Sequence, residues 1–140
     1  MVAVTLTPGD LEFLRRPLYG FFTVAAGADP PQPRPVWFEA TEHGTIELFT
    51  LTDAAKVRRL RTDPRASLVV AAPVGERERW VSVAGTTTLE SQGAQQLATR
   101  LADRYWDLTD EGRAAELQQM LGADLLRLVI HPDKVTRYTP

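Results

Sequence analysis

The side chains best suited to hold an anion are concentrated between Arg34 and Leu68. Two extended runs, Pro35-Val36-Trp37-Phe38 and Leu48-Phe49-Thr50-Leu51-Thr52, lead into Lys56-Val57-Arg58-Arg59-Leu60-Arg61 and then Asp63-Pro64-Arg65-Ala66-Ser67-Leu68. Hydroxyls and backbone N–H groups at a helix start, with cations one turn in, make a phosphate site. Beside it, Val36 and Trp37 could offer backbone polar groups and an apolar wall to a flat heteroaromatic ring. The same arginines also read as the wet face of an amphipathic helix, which is the commoner use of such a charge run. One compositional detail singles out Lys56: of the 16 basic residues only it and Lys134 are lysine.

Other chemistries lack their residues. With no cysteine in the chain, thiol catalysis, CxxC redox chemistry, iron–sulfur clusters and cysteine-ligated zinc are excluded together. His43 and His131 are the only histidines and lie far apart in sequence, so no metal site is expected. GxSxG, HExxH, GxxxxGK[ST] and GxGxxG are all missing, which removes support for hydrolase, metalloprotease, P-loop and Rossmann readings. Paired acids such as Glu76/Glu78 and Asp110/Glu111 fall in a turn and a helix first turn, where they serve solubility or the helix dipole. A net charge of −2 with interleaved signs offers no cationic face for nucleic acid. No apolar run approaches the roughly 18 residues of a membrane span, and no secretory signal is visible, so a cytoplasmic protein without membrane contact is expected.

The elements that must position these residues follow from local patterning. The 140 residues, 44% of them hydrophobic, suit one domain with a self-sufficient core. Thr7-Pro8-Gly9-Asp10 predicts a capped helix ended by Pro17. Leu18 to Ala26, Val36 to Ala40 and Ile46 to Leu51 read as strands; Gly27 to Pro33 is a stiff proline-rich hairpin loop, and Glu42-His43-Gly44 is a turn with glycine available for positive φ. Thr52 or Asp53 is expected to cap a helix running to about Arg61. Ala66 to Ala72 reads as a strand buried on both faces or on the inside of a barrel, and Trp80 to Leu89 as a long strand with a bulge or bend at Gly85. Helices are expected near 94–106 and 110–121, the second ended by Gly122, with Leu97, Leu101, Tyr105 and Trp106 giving core or dimer packing. Leu125 to Ile130 completes the strands, with Val135 to Tyr138 pairing at an edge. Hairpin-length links favour a mainly β fold, an antiparallel sheet closed into a small barrel with flanking helices.

The motifs quoted above, together with Arg79-Trp80-Val81-Ser82-Val83-Ala84-Gly85, resemble in order and spacing the flavin split-barrel family of pyridoxamine-phosphate-oxidase-like proteins. The resemblance covers about Leu11 to Trp106 and, more loosely, His131 to Val135, and is closest to the short members that use FMN or the deazaflavin F420. It implies a six-stranded split β-barrel acting as a homodimer, with two cofactor sites at the subunit interface. By position, Arg34, Pro35, Val36 and Trp37 would line the ring, Phe49, Thr50, Leu51 and Thr52 would meet the ribityl chain and phosphate, and Lys56 would bind the phosphate directly. Val57 belongs to the same segment, Arg58 and Arg59 are phosphate or tail contacts, and Arg79 and Trp80 would reach the site from the partner subunit. Two departures matter: Ala55 stands where the oxidases carry an arginine, and no segment with arginine and tryptophan follows Arg137-Tyr138-Thr139, so vitamin B6 oxidation is not expected.

The resulting expectation is a dimeric oxidoreductase that binds F420 or FMN and passes a hydride to or from a small organic substrate. Because the cofactor carries the reactive atom, no nucleophile or acid–base pair need be present, and no catalytic residue is assigned. The alternative is a non-catalytic split barrel that carries flavin, deazaflavin or a tetrapyrrole.

Overall fold

The computed structural model describes residues 5–140. Helix α1, Pro8–Leu14, begins as its sequence predicts: the Thr7 hydroxyl accepts from the Asp10 N–H, the Asp10 carboxylate accepts from the Thr7 N–H, and Pro8 occupies the first turn. Strands β1 (Gly20–Val24) and β2 (Arg34–Val36) form an antiparallel pair joined by the proline-rich loop. A two-residue strand β3, Glu39–Ala40, then pairs with β4, Ile46–Leu51, across a turn in which Gly44 takes φ 83°. Helix α2 (Ala55–Thr62), β5 (Arg65–Ala71), β6 (Trp80–Glu90), α3 (Ala94–Tyr105), α4 (Glu111–Leu121) and β7 (Leu125–Tyr138) complete the chain.

All pairings are antiparallel and the strands form one sheet in the order β2-β1-β5-β6-β7-β4-β3. Its two edge strands are separated in sequence only by Trp37 and Phe38. At about 3.8 Å per Cα step, that link can join opposite edges of a seven-stranded sheet only if the sheet curls on itself. The result is a split barrel with flanking helices. Phe38, within the link, is fully buried and packs in the core with Phe13, Leu14, Phe22, Ile46, Leu48, Leu68 and Ile130.

Several expectations change. The sheet has seven strands, not six, because the single strand read at Val36 to Ala40 is two: its first part belongs to one edge of the sheet and its second to the other. Strand β7 is continuous over 14 residues: Leu125–Ile130 lies between β6 and β4, while the part through Tyr138 pairs with β6 alone, at an edge as expected. Pro132 is tolerated there because the ladder shifts register between Ala84 and Gly85. Gly85 sits at that bulge as expected, and a Cβ on it would lie 2.0 Å from the His131 carbonyl oxygen. The apolar run at β5 is buried on its inner side only, with Val69 turned outward and 37% exposed. Helix α2 starts at an N-cap that is Ala54, not Thr52 or Asp53, without a side-chain cap. Asp110 caps α4, and Gly122 ends it in a right-handed conformation.

Candidate functional site

A cavity of about 400 Å³ opens between β1, the start of α2 and the loop to β2. Arg34, Lys56 and Arg59 line it, with Phe22, Val24 and Ala55 as an apolar and small-residue wall and Asp29, Pro30 and Gln32 as its lip. Lys56 emerges from the first turn of α2 because Val57 and Leu60 on the same helix are drawn into the barrel core. Its ammonium lies 5.7 Å from the centre of the Phe22 ring. Burial, and secondarily the Arg34 charge, pushes the Lys56 ammonium below the usual lysine range. None of the three cations forms a salt bridge among the described residues. Arg34 donates only to the Pro33 carbonyl and the Gln32 side-chain oxygen, at 3.3 and 2.7 Å. Ala55 and Lys56 also belong to the uncapped first turn of α2, where backbone N–H groups lack intrahelical partners. An unpaired cluster of positive charge next to a helix start, with Lys56 half-buried and Arg34 and Arg59 exposed around it, suits a phosphate or carboxylate.

A second cavity, about 560 Å³, shares Ala26 and Arg59 with the first and continues past Gly27, Arg58, Thr62 and Asp63. The two together form a cleft with cations along its length. Arg58 also donates to the Asp53 carbonyl at 2.6 Å, bracing the turn that precedes α2.

The other residues singled out in the sequence lie elsewhere. The Val57 side chain is 1% exposed in the barrel core, and its N–H is bonded to the Ala54 carbonyl. Thr52 is tied to Asp124, its N–H and hydroxyl both donating to that carbonyl at 3.0 and 3.2 Å. Thr50 is half-buried on β4, and Leu51 is 49% exposed at the end of that strand. Pro35 and Val36 pair with Phe21 and Gly20 of β1. Trp37 is half-buried and packs face to face on Tyr105, with centroids 5.2 Å apart, while Trp106 and Phe49 meet it edge-on at 4.7 and 6.4 Å. Arg79 is held within its own chain: it donates to the Gly9 carbonyl at 3.0 Å and lies 4.6 Å over the Phe13 ring. Trp80 stacks on Tyr138 at the outer side of the sheet, 6.5 Å between centroids.

Arg34 and Lys56 are thus brought into one cavity, and Arg58 into its extension. The lip formed by Asp29, Pro30 and Gln32 belongs to the proline-rich loop read as stiff from its composition. The aromatic group around Trp37 was not anticipated, since Tyr105 and Trp106 are contributed by α3, far along the chain.

A curled antiparallel sheet with flanking helices and a cation-lined cleft beside α2 defines the split-barrel class. The chain belongs to the pyridoxamine 5'-phosphate oxidase family, whose model matches residues 6–136. No curated protein sequence matches the chain. Among solved structures it is similar to a conserved hypothetical protein from Mycobacterium tuberculosis, with TM-score 0.76 and 19% identity over 96% of this chain and 86% of the other. An F420 reductase is similar with TM-score 0.72 and 22% identity, covering 94% of this chain and 98% of that one. The heme storage protein HutZ from Vibrio cholerae has the same fold, with TM-score 0.68 and 12% identity over 94% of each chain.

Proposed function

We propose that this chain is a subunit of a homodimeric oxidoreductase that anchors F420, or else FMN, in the cation-lined cleft and serves hydride transfer to or from a small organic substrate. The observation that carries the reading is the set Arg34, Lys56 and Arg59 gathered in one cavity without a salt-bridge partner. The half-buried Lys56 ammonium, with two like charges beside it, is costly unless an anion completes it. Lys56 and the first N–H groups of α2 would hold the phosphate, and Arg34 would close over it from β2. The extension past Arg58 and Arg59 supports a ligand whose anionic part reaches beyond one phosphate, and Ala55 leaves the near phosphate with one cation fewer than in the oxidases. Both favour F420 over FMN. When bound, the cofactor would give or take the hydride; the protein's residues anchor it, orient its ring along β2 and limit access of water.

The homodimer is supported by the outer sheet face. Pro35, Phe21, Val69 and Ser82 stand in register across β2, β1, β5 and β6, and Ala71, Trp80 and Tyr138 across β5, β6 and β7. Phe21, Val69 and Tyr138 are 44, 37 and 48% exposed, an apolar surface of the kind that marks an interface. Trp80 lies on that face and in a dimer would approach the partner's cleft.

Turnover tests the enzyme reading. Purified protein is supplied with reduced F420 and a panel of enones, quinones and biliverdin, and return of the oxidised deazaflavin absorbance is followed; each turnover moves a hydride from the reduced deazaflavin to the acceptor, which also takes up a proton while the deazaflavin gives one up. Acceptor-dependent return is expected. Cofactor binding without turnover would instead assign the non-catalytic carrier.

A further inference from the structure

Three rings contributed by the link after β2, by α3 and by the segment before β1 lie face to face. Trp37 and Tyr105 are parallel within 3°, and Tyr19 continues the series with its ring centroid 6.0 Å from that of Tyr105 and an interplanar angle of 23°. The inner members are fixed from several sides. The Tyr105 hydroxyl donates to the Leu18 carbonyl at 2.6 Å, and Trp106 is wedged edge-on against Trp37. Arg104 is half-buried between the Phe38 and Tyr105 rings, 5.5 and 5.6 Å from their centres, and donates to the Leu14 and Arg16 carbonyls. Arg113 covers Trp106 at 4.5 Å. Tyr19 ends the series and is 60% exposed, so a rigidly backed aromatic face meets solvent.

We propose that the outer face of Tyr19 is a binding site for a flat, uncharged, conjugated ring and that Tyr19 determines specificity for it. An offset-stacked partner gains beyond its buried area. A surface already held in place loses little conformational freedom on binding. The rings offer π faces and no carboxylate, and Arg104 is committed to ring faces and main-chain carbonyls, which suits a neutral ligand. On the oxidoreductase reading, on which this assignment rests, the ring is that of the acceptor. A carbon that takes up hydride in conjugation with a carbonyl is trigonal, so such acceptors are planar by their own electronics, whereas saturated ketones are not. Trp37 lies three residues beyond Arg34, roughly 10 Å at the ~3.3 Å rise of a strand, which sets the aromatic series apart from the cation cluster.

The test is a tryptophan-fluorescence titration of the full chain, without cofactor, using 1,4-naphthoquinone as the flat probe and cyclohexanone as the saturated control. Saturable quenching by the quinone and none by the ketone is expected. Tyr19→Phe retains the quinone affinity, and Tyr19→Leu weakens it about tenfold while keeping apolar bulk. Equal affinity in Tyr19→Leu, or linear unsaturable quenching, would overturn the assignment. So would a loss of dimer in Tyr19→Leu without change in quinone affinity, which would give the face to a second copy of the chain. A parallel titration with F420 and FMN separates the two ideas: saturable quinone binding with no cofactor binding refutes the oxidoreductase reading alone, and the reverse refutes the Tyr19 site alone.

Discussion

Burial and the nearby Arg34 charge both work against the protonated form of Lys56 in the free protein. An anion in the cavity reverses that balance, since a charge-assisted contact favours the ammonium. Two outcomes follow. First, because the free protein's Lys56 loses its proton below the ordinary lysine value of 10.5, anion affinity should fall as pH rises through the depressed value. Dissociation constants measured across alkaline pH should show the fall at lower pH than an unperturbed lysine would give, and Lys56→Arg should move it upward. Second, the linkage to folding has the opposite sense: with the folded value below the unfolded one, the unfolded chain holds the proton more readily, and stability of the ligand-free protein rises as pH passes from the folded value towards 10.5. Lys56→Met should therefore raise the Tm of the ligand-free protein at neutral pH while weakening cofactor binding, the expected trade between stability and a strained site. At this scale Lys56 was legible because helix phase puts Val57 and Leu60 inside and Lys56 at the rim, whereas Arg34, on β2, was placed by the family resemblance. The occupation of the Trp37 face by Tyr105 was not, because no local pattern records which ring from a distant helix will cover a given tryptophan.

At the level of elements, local chemistry was a good guide where the chain interacts with its near neighbours. The capping box at Thr7 and Asp10 and the positive φ at Gly44 are local consequences of residue type. The bulge at Gly85 was legible for the same reason, since glycine in a strand marks close backbone approach. Gly85→Ala should clash with the His131 carbonyl and cost several kcal/mol in urea unfolding, because main chain on both strands must move. Misreadings arose where distant partners decide. Thr52 does not cap α2: it lies two residues before the N-cap Ala54, held there by its N–H and hydroxyl, which both donate to the Asp124 carbonyl in the turn before β7. Val36 to Ala40 is one extended run by propensity, yet the sheet edge each half joins is set by the curl of the whole barrel. A further long-range tie joins α1 to the end of β7: Arg137 donates to both oxygens of Asp10, at 2.9 and 2.7 Å, and the carboxylate is 3% exposed. Burial by itself would raise the Asp10 carboxyl, but the Arg137 and Thr7 contacts outweigh it and hold the carboxyl below its usual value. Its contribution is present above the unfolded carboxyl's value and is lost as pH falls through the lowered one. Asp10→Ala should cost about 3 kcal/mol or more, as loss of a buried pair and a cap together predicts, and in chemical denaturation Arg137→Met on top of it should add little.

For the whole molecule, the curl places the aliphatic core inside and leaves Phe21, Val69, Trp80 and Tyr138 on an outward apolar face. Fold class was legible from hairpin-length links and strand alternation, whereas the outer face was hidden in β5, whose near-continuous apolar run reads the same whether its second side is buried by its own chain or by another. If two copies meet there, Val69→Asp should yield a monomer by light scattering with little change in Tm, since the side chain is already 37% exposed in the single chain. Cofactor affinity should fall with the dimer, as Trp80 would no longer approach a partner's cleft.

The claim on which the rest depends is that the cleft of Arg34, Lys56, Arg58 and Arg59 holds a phosphate-bearing deazaflavin or flavin. Side-by-side titration of F420 and FMN into the wild-type protein and Lys56→Ala tests it most directly. One cofactor per chain is expected, with F420 the tighter ligand and affinity weakened about tenfold or more in Lys56→Ala, the loss typical of a hydrogen bond to a charged group. No saturable binding of either cofactor, or equal affinity with and without the Lys56 ammonium, would contradict it.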